Sequence, residues 1–313
     1  MQRVLSTAAL IGLLIATAAA FAITERLKLV RSPVWDTFVS KRLSPTCGCA
    51  RGKALIRVRL RHGDDVTLTI RSAGGATVRT LAAGEFTPRG EASYVWDGRT
   101  DEGAVAPDGV YRPEIHLARQ RRTILLPNRI GLDTHAPRVV GVKLSRPVIS
   151  PDGDGIGDTI RIHYRLDSAA HVLVYLDGNL VIRSRSYAAS ATVNWHGRDL
   201  AGQPLLAGLH VLYLGAVDLA GNVTPSYERQ PVLVTIRYIA LSQQRIVARP
   251  GKLFTVGVDT DAKHWWWKFA GRSGAGKDMS LSLRAPAKPG QYRLSVGERT
   301  YGARATVVVT NAR

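Results

Sequence analysis

Trp96-Asp97-Gly98-Arg99, followed by Gly103 and Gly109, returns as Trp195-His196-Gly197-Arg198, followed by Gly202 and Gly208. The copies lie 99 residues apart and keep identical internal spacing. Each is preceded by two alternating segments and followed by another, Val110-Tyr111 to Leu117 and His210 to Val217. A tryptophan that closes an inward-facing strand fills the end of a sandwich, and glycines allow the tight turns behind it. A repeat of this period predicts two copies of one structural unit.

Working outward, period two dominates. Ile56, Val58 and Leu60 alternate with Arg57, Arg59 and Arg61, and Val66, Leu68 and Ile70 alternate with Thr67 and Thr69. Ile160, Ile162, Tyr164 and Leu166 alternate with Arg161, His163 and Arg165, and Tyr292, Leu294 and Val296 alternate with Arg293 and Ser295. Such alternation puts one face in a core and the other in water. Gly74-Gly75, Asp97-Gly98, Asp108-Gly109, Asp177-Gly178 and Pro289-Gly290 supply turns between the runs. The expected fold is mainly β, with an N-terminal membrane helix followed by three tandem immunoglobulin-like β-sandwich domains.

Trp-Asp-Gly-Arg-x-x-x-Gly, a short gap and Gly-Val-Tyr resembles the Ig-like domain of the flagellar hook-capping family, FlgD type. The first copy matches over roughly residues 55–117. The second departs from it, with His196 for the Asp and Leu209-His210 for Val-Tyr, and its Asp218-Leu219-Ala220-Gly221-Asn222 is similar to the ending of bacterial surface Ig-like repeats. The resemblance covers about half of the chain and implies a fold. For function it implies a spacer, an adhesin or an assembly scaffold, because such modules serve all three.

The expected organisation is a signal anchor or signal peptide at 1–23, a stalk at 24–52, a FlgD-type domain at 53–134, a second Ig-like domain at 135–235 and a C-terminal β-sandwich at 236–313. Val4 to Ile23 is a nearly unbroken apolar run, long enough at about 1.5 Å per residue to reach roughly 30 Å, the thickness of a hydrocarbon core. Small-x-small sites at Ala18-Ala19-Ala20 and Ala20-Phe21-Ala22 leave cleavage open. Arg26, Lys28, Arg31, Lys41 and Arg42 after the run favour a cytoplasmic side by the positive-inside rule, whereas the all-β content favours export. The expected location is the bacterial cell membrane, single-pass with the β-domains outside, or secreted after cleavage.

With 313 residues, 45% hydrophobic and 21% charged, the chain has room for two or three globular domains. A formal net charge of +19 attracts anionic polymers. Without a basic run interleaved with aromatics, no nucleic-acid partner is expected. The expected partners are the membrane through the N-terminal helix and an anionic cell-wall polymer or an envelope protein. Cys47 and Cys49, separated by Gly48, cannot form a zinc site without a second ligand pair. A local disulfide and an intermolecular bridge both remain open.

Three segments carry chemistry. In Ser150-Pro151-Asp152-Gly153-Asp154-Gly155-Ile156-Gly157-Asp158, the carboxylates of Asp152, Asp154 and Asp158 either wrap a hard cation such as Ca²⁺ or bond their own backbone in a Gly/Asp turn. No other cofactor is expected. Gly271-Arg272-Ser273-Gly274-Ala275-Gly276-Lys277 fits a phosphate-binding loop up to its lysine, but Asp278 stands where a Ser or Thr should hold Mg²⁺ and no helix pattern follows. Trp265-Trp266-Trp267 alternates faces on a strand, giving either a platform for sugar rings or a protein partner, or core tryptophans with an interdomain contact. The dispersed His residues and the absence of Gly-x-Ser-x-Gly argue against an enzyme.

Overall fold

The alternating segments become paired strands in the computed structural model, which describes residues 11–21 and 32–311. The chain divides into two compact units, residues 1–134 and 135–313. The first is built around one hydrophobic core and the second around two large ones.

The first unit contains β1 (Val34–Val39), β2 (Arg42–Leu43), β3 (Ala54–Leu60), β4 (Asp64–Ser72), β5 (Thr77–Thr87), β6 (Gly90–Trp96), β7 (Gly109–Leu117), β8 (Arg122–Leu125) and β9 (Ile130–Leu132). One sheet runs β1-β3-β6 and the other β2-β9-β7-β4-β5, with β8 on β7. Ile56, Val58 and Leu60 of one sheet and Val66, Leu68 and Ile70 of the other belong to the same buried core. Each such side chain contributes about 1.5–3 kcal/mol on burial.

One sequence expectation needs correction. The segment read as a stalk contributes β1 and β2 to the first sandwich: β1 pairs antiparallel with β3 and β2 pairs parallel with β9. Val34, Val39 and Leu43 are buried, which the chain could not achieve as a solvated stalk. Of the expected N-terminal membrane helix, the structure describes residues 11–21, which are helical. Among the described residues no helix is long and apolar enough to cross a membrane. The rest of the apolar run, residues 4–10 and 22–23, lies outside the described residues.

The second unit begins with β10 (Val139–Leu144), β11 (Val148–Ile149), β12 (Ile160–Leu176), β13 (Asn179–Arg183), β14 (Ala188–Trp195), β15 (Gly208–Val217) and β16 (Gln230–Ile236). Strand β12 serves both sheets. Its first half pairs with β10 and β14, and its second half pairs with β13 and β15. The same unit continues with β17 (Ile239–Leu241), β18 (Arg245–Ala248), β19 (Leu253–Thr260), β20 (Trp265–Phe269), β21 (Arg272–Gly276), β22 (Ser280–Arg284), β23 (Gly290–Glu298) and β24 (Tyr301–Val309). These form sheets β17-β19-β22 and β18-β24-β23-β20-β21. All three sandwiches share one device: a short strand near the start runs parallel to the last strand, β2 on β9, β11 on β16 and β18 on β24.

The repeated tryptophans close the first two sandwiches in the same way. Trp96 and Trp195 are buried, and each indole N–H donates to the carbonyl three residues on, Arg99 at 2.9 Å and Arg198 at 3.2 Å. The two arginines then donate to Gly103 O and Gly202 O. Tyr111 donates its hydroxyl to Pro107 O; in the second copy His210 takes that place, with Nε2 2.9 Å from Leu206 O. Gly98 (φ 77°) and Gly197 (φ 63°) need the left-handed region, and both lie against a proline. A Cβ on Gly98 would stand 3.0 Å from Pro45 Cγ, and one on Gly197 would stand 2.7 Å from Pro151 Cγ.

Leu43-Ser44-Pro45 is therefore the counterpart of Ile149-Ser150-Pro151, and the two loops that follow are alternative clasps at one position. In the first sandwich Ser44 Oγ lies 3.2 Å from Thr46 Oγ1 and the loop is closed by a disulfide between Cys47 and Cys49. In the second, Ser150 Oγ donates to Asp152 Oδ2 at 3.2 Å and the acidic loop follows.

Candidate functional site

The tryptophan run lies on β20, between β21 and β23. Trp265 is buried, Trp267 is half-buried on the same face, and Trp266 is exposed on the other. Every one of the three faces a glycine directly across the ladder: Trp265 with Gly276, Trp266 with Gly297 and Trp267 with Gly274. A Cβ on these glycines would meet the indoles at 2.2, 2.1 and 2.8 Å respectively. The rings thus lie over bare backbone, which no other residue type provides. This accounts for the phosphate-loop look of residues 271–277. They form a hairpin with β20, and Gly274 and Gly276 make room for two tryptophans. With one ring face on Gly297, Trp266 turns the other outward, and Lys268 Nζ stands 5.6 Å from its centroid. Such a surface can stack a flat apolar ring beside a fixed positive charge.

The acidic loop spends much of its bonding capacity on itself. Asp158 accepts from Gly153 N and Gly155 N, both at 2.7 Å. Asp154 Oδ1 accepts from Ile156 N at 2.7 Å and Asp152 Oδ1 from Asp154 N at 2.8 Å. The bonds of Asp152 and Asp154 are Asx-type turns, with glycines at φ 86°, 88° and 70° (Gly153, Gly155, Gly157) between the carboxylates. Carboxylate oxygens of Asp152, Asp154 and Asp158 come within 4.8 Å of one another, so the three remain grouped as the sequence suggests.

Asp152 also belongs to a second group that the sequence reading missed, with Asp261 and Glu298 of the third sandwich. Glu298 is buried, and Thr260 Oγ1 lies 3.0 Å from its Oε2. Beside it Tyr238 stacks on Tyr301 at 3.5 Å, donates its hydroxyl to Leu205 O at 2.6 Å, and Arg299 donates to Asp152 O. Burial, then a hydrogen bond with Asp152, pushes the Glu298 carboxyl up to about 8. Burial likewise raises the Asp261 carboxyl and the Tyr238 hydroxyl above their ordinary ranges. No motif announces this group, because its members lie far apart in the sequence, Glu298 at the end of β23.

A raised carboxyl binds its proton more tightly when folded than when unfolded. Its contribution is therefore complete below the unfolded value near 4.5 and is lost as pH rises through about 8. Melts of the whole chain are expected to show the second unit weakening across that window. Glu298→Gln is expected to flatten the slope and to stabilise the protein at pH 8 by on the order of 1–2 kcal/mol, part of the shift being shared with Asp152. An unchanged pH slope in the Gln variant would show that another group sets it.

Comparison with known proteins bears on the first unit. Residues 46–120 match the family described as the FlgD Ig-like domain. The basal-body rod modification protein FlgD of Escherichia coli is 46% identical over 52 residues, which is 17% of this chain and 22% of that protein. The chain thus spans under a quarter of the curated relative it matches. Among solved structures, an I-band fragment of titin is 12% identical, covers 88% of this chain and 98% of its own, and gives a TM-score of 0.32. A bacterial ice-binding adhesin is 12% identical, covers 90% of this chain and 100% of its own, and gives 0.29.

Proposed function

From a chain whose residues 46–120 match the FlgD Ig-like domain, we propose a non-catalytic binding or spacer protein of the bacterial cell envelope, with the β-sandwiches outside the membrane and an anionic wall polymer or envelope protein as partner. The observation that carries this reading is the repeated sandwich. Two copies share a tryptophan closure down to single hydrogen bonds, and the loops clasped beneath it differ. Repetition of an inert framework with variable loops is how modules gain reach and present a surface. The net charge of +19 adds a field that draws anionic partners.

Affinity capture with the whole chain from envelope fractions tests it. Recovery of wall polymer or an envelope protein, released by salt, is the expected result. Recovery from cytosolic fractions alone would overturn it. The identity with FlgD favours a second reading, an assembly scaffold related to hook capping. Flagellar components in the same captured material would choose that reading.

A further inference from the structure

We propose that the outer face of the five-stranded sheet in the third sandwich binds an acidic polysaccharide, with a sugar ring on Trp266 and its carboxylates on Lys268, Arg304, Arg293 and Arg245. This rests on the reading of the chain as an envelope binding module and names its ligand class. The pairing fixes what this face displays. One row across the strands is Ala275, Trp266, Gly297, Gly302; the next is Ser273, Lys268, Ser295, Arg304; the third is Arg293, Thr306, Arg245. Trp266, Lys268, Arg293, Arg304 and Arg245 are all exposed. No carboxylate occupies any of these positions, and among the described residues none lies within ion-pair distance of the four cations.

On the outer face of β3, by contrast, Arg59 lies 3.0 Å from Glu91 and 4.0 Å from Asp36, so that its charge is met within the fold. Four unmet cations around one indole are complementary to a polyanion. The small residues beside the indole leave it standing clear, so a ring can lie flat on it. Lys268 and Arg304 are separated by one intervening strand, about 10 Å at the usual strand spacing. That separation suits acid groups carried on alternate sugars of a chain. The serine and threonine hydroxyls between the cations offer donors and acceptors to the sugar hydroxyls.

The test uses the whole chain and four probes: polygalacturonate, a neutral glucan of similar length, polyphosphate and a single-stranded oligodeoxynucleotide. Polygalacturonate is expected to bind at least tenfold more tightly than the other three. Trp266→Ala is expected to weaken it at least tenfold, and Lys268→Ala with Arg304→Ala to weaken it similarly while flattening the salt dependence. Melting curves check that the variants fold, and Trp266→Leu supplies a second variant that keeps an apolar side chain but no ring. Equal binding of polyphosphate or oligonucleotide would overturn the proposal, as would wild-type affinity in folded Trp266→Ala and Trp266→Leu. Envelope capture that persists in the folded Trp266→Ala variant would leave the binding-module reading standing and remove this face as its site. Failure of capture in the wild type would remove both.

Discussion

Trp96→Ala is expected to cost the first sandwich about 3–5 kcal/mol, a large share of the roughly 5–15 kcal/mol that holds an ordinary domain. Trp96 is 0% exposed, packs edge-on against Tyr111 with centroids 5.0 Å apart, and donates its N–H to Arg99 O. Alanine would leave a cavity bounded by both sheets and a turn whose carbonyl loses its donor. Trp96→Phe should be milder, since it keeps most of the volume and forfeits one hydrogen bond of about 1 kcal/mol. Urea unfolding of the whole chain reads this out: the transition of the first unit should move and that of the second should not, because the two have separate cores. A loss below 1 kcal/mol would mean that the tryptophan is not what closes the sandwich.

Gly276→Ala should destabilise the third sandwich by about 3 kcal/mol, near the upper end for overpacking. Its Cβ would meet Trp265 Cζ2 at 2.2 Å, and Trp265 is only 3% exposed, so the indole cannot swing away without opening the core. The other two tryptophan–glycine pairs provide graded controls. Gly274→Ala presses a half-buried Trp267 at 2.8 Å and should cost less. Gly297→Ala presses an exposed Trp266, which can tilt outward, so melting should barely move while the indole fluorescence shifts. Equal cost at all three sites would show that the glycines matter for the backbone and not for the rings.

The repeat could be read from sequence because its spacing is set by turn geometry: Gly98 and Gly103 must sit where they do for the chain to fold back past Trp96. Alternation at Ile56–Leu60 and Val66–Ile70 was equally plain, since those strands each have one buried face. Strand β1 escaped for the opposite reason. A bulge between Val34 and Asp36 breaks its period, and its outward side carries Trp35 and Phe38, each covered by an arginine, at 5.4 Å from Arg59 and 4.8 Å from Arg57. Apolar residues on both faces of a short strand look like no pattern.

The kinship of Ser44-Pro45 with Ser150-Pro151 was hidden by a change of offset, 106 residues instead of 99, because the first sandwich has a longer path between Pro45 and Trp96. At the candidate face, the alternation of Trp265, Trp266 and Trp267 followed from strand geometry alone. The exposure of Trp266 and its surroundings did not. Arg304 and Arg245 reach it through β24 and β18, and only the pairing of strands reveals that. Glu298 was beyond reach for the same reason, lying 146 positions from Asp152 in the chain.

The short parallel pairings of β2 with β9, β11 with β16 and β18 with β24 have a mechanical consequence. A strand near the entrance of a sandwich and the strand at its exit point the same way, so tension applied along the polypeptide slides them past each other. Their hydrogen bonds are then loaded in shear and must fail together, whereas an antiparallel end would unzip one bond at a time. Under a stretching load, these few paired residues would therefore set how long each sandwich holds, independently of its equilibrium stability.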